Sequence, residues 1–140
     1  MTGVANPAGG GQTVTHRGGC HCGAVAFEVD APAEIVALEC NCSVCRMTAF
    51  LHLIVPQSRF RLLRGADQLT EYQFNTATAR HLFCRRCGVK SFYVPRSNPD
   101  GYSVNVRCLD RATIAGLTIQ PFDDEDRAAA DARVRDLSRK

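Results

Sequence analysis

Apolar and polar residues alternate over short stretches along most of this chain. Val25, Phe27 and Val29 stand at every second position, with Ala26 and Glu28 between them. A period of two is typical of a strand that buries one face. Further short apolar or alternating runs lie at residues 35–38, 50–55, 60–63, 72–74, 82–83, 89–94 and 102–106. Many short strands at regular spacing predict a mainly β fold of small antiparallel sheets, and we expect two such sheets packed against each other.

The two ends of the chain differ from this central part. Residues 1–13 are rich in glycine and alanine without periodicity, and we predict a flexible leader there. Residues 123–140 are charged and alanine-rich, with an acidic start and a basic finish. This polarity complements a helix dipole, so the segment is expected to be a short C-terminal helix or a charged tail. Residues 14–122 are then expected to form a single domain.

Eight cysteines among 140 residues are the most unusual feature of the composition. The N-terminus has neither the basic start nor the apolar segment of a secretory signal, so we expect a cytoplasmic protein. Stable disulfides are rare in that compartment, and clustered cysteines there indicate metal or redox chemistry. The net charge of +3 makes nucleic acid an improbable partner, and no apolar run is long enough to cross a membrane.

The cysteines fall into three groups and one single residue. In chain order they are Cys20 and Cys22, then Cys40, Cys42 and Cys45, then Cys84 and Cys87, and last Cys108. Zinc takes four ligands in a tetrahedron, and two closely spaced cysteines supply half of one through a tight turn. Glycine follows the second cysteine of both pairs, at Gly23 and Gly88, and permits the positive φ that such turns often need.

This spacing predicts two zinc ions with different roles. The two outer pairs together complete one closed structural site, which we call the four-sulfur group: Cys20, Cys22, Cys84 and Cys87. The middle cysteines, which we call the three-sulfur group, are Cys40, Cys42 and Cys45. They fill three corners of a second tetrahedron and leave the fourth open, as in catalytic zinc sites. The alternative is a second structural site, with Cys108 or a histidine as its fourth ligand.

Other interpretations of the cysteines are less favoured. Cys108 is expected to be a small buried side chain, although a thiol close to the open metal is a second possibility. A disulfide framework conflicts with the expected compartment. A thioredoxin-like interpretation of Cys84 and Cys87 fails because no βαβ unit surrounds them.

None of the four histidines is a first choice as a metal ligand. His21 stands between two cysteines, so its side chain should point away from the metal that they share. His52 and His81 lie in strand-like segments, where we expect structural roles. His16 precedes the first cysteine pair and is expected near the surface.

The cysteine motifs also carry a resemblance to a known family. The runs GGCHCG from Gly18, CNCSVCR from Cys40 and FCRRCG from Phe83 resemble those of the glutathione-dependent formaldehyde-activating enzymes. The resemblance extends from about His16 to Asp110. Within the family, the runs SRFRLLRG at 58–65 and GVKSFYVPRSNP at 88–99 look most like the centromere protein V branch. Members of that branch carry a long basic N-terminal extension, whereas the leader here is short and uncharged.

The resemblance implies a fold, two metals and an activity. It implies an Mss4-like fold, mostly antiparallel β, with a structural zinc on the four-sulfur group and a catalytic zinc on the three-sulfur group. It also implies addition of glutathione to formaldehyde, or the reverse carbon–sulfur cleavage, so that glutathione or a glutathione adduct is the expected partner. Because glutathione has two carboxylates, we expect cationic or amide side chains near the open metal, and the candidates are Arg46, Arg96 and Asn98.

Two hypotheses about function follow. The first is a zinc-dependent carbon–sulfur lyase that acts on glutathione adducts. The second is a non-catalytic zinc module that binds a protein or carries a thiol, because one fold supports many functions. An open position on the second zinc, reachable from solvent, is the feature that distinguishes them.

Overall fold

The computed structural model describes residues 13–74, 79–123 and 127–138. Within these ranges, ten strands and two α-helices follow one another, joined by turns and single turns of 3-10 helix. They are β1 Thr13–Gly19, β2 Ala26–Pro32, β3 Glu34–Cys40, α1 Ser43–Thr48, β4 Leu51–Pro56, β5 Phe60–Arg64, β6 Leu69–Tyr72, β7 His81–Cys84, β8 Phe92–Tyr93, β9 Gly101–Asn105, β10 Gly116–Phe122 and α2 Arg127–Val134.

The described strands form three sheets. The first has the order β1-β2-β5, the second β10-β3-β4-β9-β8, and β6 pairs with β7 in the third. Pairing is antiparallel throughout except between β3 and β10, which run parallel with Phe122 beside Cys40. The prediction of a mainly β fold with small, mostly antiparallel sheets is confirmed. The expected two sheets are three, because β6 and β7 form a separate hairpin-like pair.

Aromatic rings hold the first two sheets together. Phe27 on β2 packs 5.1 Å from Phe60 on β5 and 5.6 Å from Phe92 on β8, measured between ring centroids. Tyr102 on β9 stacks on Phe60 at 4.4 Å. The alternating positions Val25, Phe27 and Val29 are all buried, as their period predicts. This aromatic layer lies between the sheets, so both face the same core.

Several elements were not expected from the alternation pattern. Strand β1 begins at Thr13, inside the segment expected to be flexible, and the rest of that segment lies outside the described residues. His16 on β1 is fully buried rather than near the surface, because its ring nitrogens bond to the Thr113 hydroxyl and the Pro32 carbonyl. Helix α1 and strand β10 also had no periodic signal. A buried polar side chain with both ring nitrogens bonded explains why alternation did not reveal β1.

The C-terminal segment is a docked helix. Ala130 and Val134 of α2, and Leu137 in the 3-10 turn after it, are buried, and Val134 and Leu137 pack with Leu38 and Ile54. The expected charged helical tail is therefore helical over its described part. No helix among the described residues is long and apolar enough to cross a membrane.

Candidate metal centres and the cavity beside them

The four-sulfur group is assembled from two tight turns. After β1, the Gly23 amide donates to the Cys20 carbonyl, and Gly23 adopts a φ of +82°. After β7, the Gly88 amide donates to the Cys84 carbonyl at 2.8 Å, and Gly88 has a φ of +77°. Both glycines therefore occupy the left-handed region that the spacing predicted. These turns bring together sulfurs that are up to 67 positions apart in the sequence, all within 4.8 Å of one another.

The sulfur spacing of this group fits a tetrahedral metal. Sulfurs at about 2.3 Å from a central zinc lie about 3.8 Å from one another. The Cys20 and Cys22 sulfurs are 3.6 Å apart, and the Cys22 and Cys84 sulfurs are 3.7 Å apart. Backbone amides also point at the sulfurs: Val25 N–H lies 3.3 Å from Cys20 Sγ and Arg86 N–H 3.4 Å from Cys84 Sγ. These donors stabilise thiolates, so the group could hold a metal ion.

The three-sulfur group lies where β3 leads into helix α1. Cys40 is the last residue of β3, Cys42 is the residue before α1, and Cys45 is within the helix and buried. The Cys42 amide lies 3.5 Å from Cys40 Sγ, and the Arg46 amide donates to the Cys42 carbonyl at 2.9 Å. A one-turn helix thus gathers three nearby cysteines, whose sulfurs lie within 4.8 Å of one another.

Crowding sets the ionisation of these three thiols. Hydrogen bonds from Cys40 and Cys45 lower the pKa of Cys42. The same close contacts, together with burial, raise the pKa of Cys45 far above its usual range. The pKa of Cys40 rises to about 11, chiefly through its contact with Cys42. The three sulfurs therefore share their protons, and a cation at their centre would let all three ionise together.

Among the described residues, neither Cys108 nor a histidine joins these three sulfurs as a fourth ligand atom within 4.8 Å. The Cys108 thiol lies 4.0 Å from the Lys90 carbonyl, and burial raises its pKa to about 11, with Cys20 and Cys87 as further causes. Cys108 thus lies near the four-sulfur group and is half-buried. His52 Nε2 lies 3.1 Å from Cys45 Sγ, as a hydrogen-bond partner of that sulfur. No other cluster of three or more such ligand atoms occurs in the described part of the chain.

A cavity opens beside the three-sulfur group. Its wall combines the end of β3, helix α1, strands β4, β7 and β8, and the C-terminal helix α2. The polar residues in this wall are Cys40, Cys42, Ser43, Cys45, His52, His81, Tyr93, Arg96, Ser97 and Asp131. Apolar side chains such as Leu38, Ile54 and Phe122 complete it. A second cavity of about 490 Å³ borders Cys40 and Cys45 as well, and Arg46 and Arg107 line it.

A buried polar cluster borders the first cavity. His52 Nδ1 lies 2.9 Å from the Ser103 hydroxyl and 3.3 Å from the Tyr93 hydroxyl. Burial lowers the pKa of His52 to about 3, so its imidazole is neutral at physiological pH. Lys90 is also buried, and its Nζ lies 2.7 Å from His81 Nδ1. Of these groups, only the two histidines were expected from the sequence, as structural residues.

The three expected substrate-binding residues occupy different places. Arg96 lines the first cavity and forms an ion pair with Asp131 on α2, with Nη2 2.8 Å from Oδ1. Arg46 is exposed on α1 and lines the second cavity. Asn98 is fully buried, and its amide nitrogen donates to the carbonyls of Val134 and Arg135. Asn98 therefore holds the C-terminal segment and does not reach either cavity.

Sequence reasoning missed Lys90, Tyr93 and Asp131. Each comes from a different element, and none stands next to a cysteine in the sequence. An available signal was a lysine in the strand-like run at residues 89–94, in which Val89, Phe92 and Val94 are apolar. Lysine is almost never fully buried without a partner, so its place in such a run indicates a specific contact.

Comparison with known proteins agrees with these motifs. The family model described as glutathione-dependent formaldehyde-activating enzyme matches residues 15–124. A Halomonas elongata protein with the provisional name glutathione-dependent formaldehyde-activating enzyme is 33% identical over 79 residues, which cover 51% of this chain and 50% of that protein. The chain thus spans about half the length of this curated relative.

A solved structure gives the same picture for the fold. The crystal structure of a Rhodobacter sphaeroides protein is 40% identical, with a TM-score of 0.63, and the match covers 74% of this chain and 99% of that one. The similarity to the centromere protein V branch stays a prediction. The family match covers both cysteine groups and most of the chain. This protein therefore belongs to the glutathione-dependent formaldehyde-activating enzyme family.

Proposed function

We propose that this protein is a zinc-dependent carbon–sulfur lyase that acts on glutathione adducts, in the manner of an S-(hydroxymethyl)glutathione synthase. The observation that carries the proposal is the three-sulfur group in the wall of a cavity. Three thiolates without a fourth side chain are the donor set of an open zinc site. The family supplies the substrate class, since its name and that of the Halomonas relative refer to glutathione and formaldehyde.

The two metals have separate tasks in this proposal. The four-sulfur group holds a structural zinc that joins the β1–β2 turn to the turn after β7. The three-sulfur group holds the second zinc, which when bound would accept one more ligand and lower the pKa of a thiol that binds there. Because reduced glutathione is the main small thiol of the cytosol, we also place the protein in the cytoplasm.

Side chains in the cavity wall suit the ends of glutathione. The γ-glutamyl end carries an ammonium and a carboxylate on one carbon. Arg96 and Asp131 present a cation and an anion side by side, 2.8 Å apart at their nearest atoms. This pair could bind the zwitterionic end, with Arg96 on the carboxylate and Asp131 on the ammonium. Arg46, on the second cavity, is the proposed contact for the glycyl carboxylate.

The substrate is proposed as a class rather than one compound. Thiols already add to formaldehyde readily in water, so a catalyst for that addition alone gains little. An enzyme at this site would accelerate the reaction more for glutathione adducts whose carbon–sulfur bond breaks slowly without a catalyst. We therefore propose that the cavity accepts adducts of glutathione with small carbonyl compounds, formed or cleaved at the sulfur.

Titration of cobalt-substituted protein with glutathione tests the proposal. We expect a change in the sulfur-to-cobalt charge-transfer band with glutathione, and no such change with S-methylglutathione, whose sulfur cannot ionise. Cys42→Ser should remove the band of the second site and the lyase activity together. If neither glutathione nor S-methylglutathione binds and Cys42→Ser matches wild type in every activity assay, the protein is instead a non-catalytic zinc module for a protein partner or a carried thiol.

A further inference from the structure

A buried lysine and a histidine form a close pair at the cavity wall. Lys90 is 7% exposed, and its Nζ lies 2.7 Å from Nδ1 of His81, which is 5% exposed and lines the cavity. An ammonium group has donors only, so Nδ1 accepts this hydrogen bond and its lone pair is occupied. The proton of the neutral imidazole is then on Nε2.

The imidazole of His81 is held in one orientation by stacked rings. Tyr93 stacks on it at 5.0 Å between centroids with an interplanar angle of 13°, and Phe74 at 5.3 Å with 20°. Among the described residues, Nε2 has no hydrogen-bond partner. In the same part of the chain, every side-chain nitrogen or oxygen that is fully buried has such a partner. Nε2 is therefore accessible. His81 is part of the cavity wall beside the three-sulfur group, so this donor can serve a ligand bound there.

His52, the other histidine in the cavity wall, has no ring nitrogen left without a partner. Both ring nitrogens of His52 are occupied, Nε2 by the Cys45 sulfur at 3.1 Å and Nδ1 by the Ser103 hydroxyl at 2.9 Å. His52 is thus tied to the metal ligands. Of the two imidazoles in the wall, His81 is the one able to donate to a substrate.

Burial of Lys90 makes its ammonium a readier proton donor than an exposed lysine. It forms no ion pair with a carboxylate within the described ranges, and its Nζ lies 3.9 Å from the Tyr93 ring centroid. The charges that favour its ammonium form are those of Cys45 and Cys42. A zinc ion with three thiolates has a net charge of −1, so the buried ammonium is its counter-charge. Burial lowers the pKa of Lys90 to about 8, close to physiological pH.

The geometry points to a proton relay in which Lys90, acting through His81, protonates the substrate oxygen in this cavity. This inference rests on the proposed lyase function, and it assigns His81 as a catalytic residue and Lys90 as the residue that positions and recharges it. In adduct formation, the proton moves in one direction through the imidazole of His81. The buried Lys90 ammonium donates at Nδ1, and the accessible Nε2–H donates to the substrate. Efficient acid catalysis needs a donor whose pKa lies near the working pH.

The step balances in atoms and charge. The glutathione thiolate donates an electron pair to the carbonyl carbon, and the carbon–sulfur bond forms while the carbon–oxygen π bond breaks. The oxygen takes the Nε2 proton of His81, and Nδ1 takes a proton from the Lys90 ammonium. When the next glutathione thiol ionises, its proton goes to Nε2 of His81 and Nδ1 returns its proton to Lys90, which restores both the ammonium and the starting tautomer. In cleavage the same transfers run in reverse, and the hydroxyl proton returns to Nε2.

The tautomer of His81 can be measured without substrate. Long-range ¹H–¹⁵N spectra of zinc-loaded, ¹⁵N-histidine-labelled protein near pH 7 should show His81 with its proton on Nε2. In Lys90→Met, which keeps the side-chain length, we expect this tautomer preference to be lost. Arg17→Met is the control, because it also removes one positive charge, from a side chain that is 75% exposed. A wild-type His81 with its proton on Nδ1 would overturn the relay.

Kinetics then decide whether the relay is used. In Lys90→Met and His81→Leu, we expect kcat for adduct formation and cleavage to fall about 100-fold, while zinc content and glutathione affinity stay within about twofold. Lys90→Arg should keep the Nε2–H tautomer without recovering the rate, because a guanidinium donates a hydrogen bond to Nδ1 and does not give up its proton. Unchanged kcat in both variants contradicts the relay. A wild-type protein that turns over no glutathione adduct would contradict the lyase function instead, with the tautomer result still standing.

Discussion

His52 Nε2 lies 3.1 Å from the sulfur of Cys45, the buried member of the three-sulfur group. Burial keeps this imidazole neutral, and the Ser103 hydroxyl lies 2.9 Å from its other nitrogen. With the Ser103 hydroxyl donating to Nδ1, Nε2–H donates to the sulfur and stabilises its thiolate. Cys45 is therefore held in place by strand β4 as well as by its own helix.

We predict that His52→Leu weakens metal binding at the three-sulfur group by about 10-fold to 100-fold, because the thiolate loses its hydrogen-bond donor. Chelator competition at the second zinc measures this loss. His52→Gln, whose amide nitrogen reaches as far as Nε2, should recover most of the affinity. Equal second-zinc affinity in wild type and His52→Leu would refute this role.

The two sulfur groups should differ in their importance for folding. Cys84→Ser removes a ligand from the four-sulfur group, which joins distant turns, so we expect insoluble or unfolded protein. Cys42→Ser should give folded protein that has lost about half of its metal. Circular dichroism and metal analysis of both purified variants are the measurements. A Cys84→Ser protein with wild-type folding and full zinc content would show that the assignment is wrong.

None of the eight cysteines should be in a disulfide in the native protein. Their sulfurs are grouped for metal binding, and none is in a disulfide. Denaturation without reductant, in the presence of a chelator and a thiol-blocking reagent, should give a mass increase that corresponds to eight modified thiols. A consistent shortfall of two or more indicates a disulfide and contradicts the prediction.

Asn98 should matter for stability and not for substrate affinity. Its amide donates to the Val134 carbonyl and the Ser138 hydroxyl, each at 2.9 Å, and these bonds attach α2 and the following turn. Asn98→Ala leaves buried acceptors without a donor, so we expect a loss of about 2–3 kcal/mol in the free energy of unfolding. Urea unfolding measures it, with the exposed Thr70→Ala as control. A raised KM for glutathione in folded Asn98→Ala would instead support substrate binding.

Arg96 should contribute to glutathione affinity. Removal of its guanidinium leaves the substrate carboxylate without a charged partner, so Arg96→Ala should raise KM about 10-fold with a smaller effect on kcat. Arg61→Ala is a matched control, because Arg61 also forms a two-pronged pair with an aspartate, Asp30, and lines neither cavity. If both variants have the wild-type KM, Arg96 does not bind the substrate.

The cysteine groups were predictable because their geometry is local. Two cysteines within three or four positions, followed by glycine, restrict the backbone to a turn. Three cysteines within six positions keep their sulfurs close together, so both patterns are visible in the sequence alone. The pairing of Cys20 and Cys22 with Cys84 and Cys87 followed from the need for four ligands. The alternating strand from Val25 to Val29 was equally visible, since one face of it is fully buried.

The cavity was not predictable because its wall is not local. The contact between His81 and Lys90 depends on how β7 is placed beside the turn after it, and the pair of Arg96 and Asp131 depends on where α2 docks. Strand β10 pairs in parallel with β3, and parallel partners need a long connection that leaves no short-range signal. Cys40, Cys42 and Cys45 were thus identified without the side chains that surround them.

The parallel pairing of β10 with β3 also affects how this site forms during translation. Phe122 of β10, and Asp131 and Val134 of α2, close the cavity beside sulfurs that precede them by 77 or more positions. The ribosome releases the three cysteines first, and the wall that encloses them follows later in synthesis. A nascent chain therefore displays a bare thiolate cluster to solvent for several seconds at ordinary elongation rates of about 5–20 residues per second. Early zinc capture would protect these sulfurs from oxidation until the last strand and helix cover them.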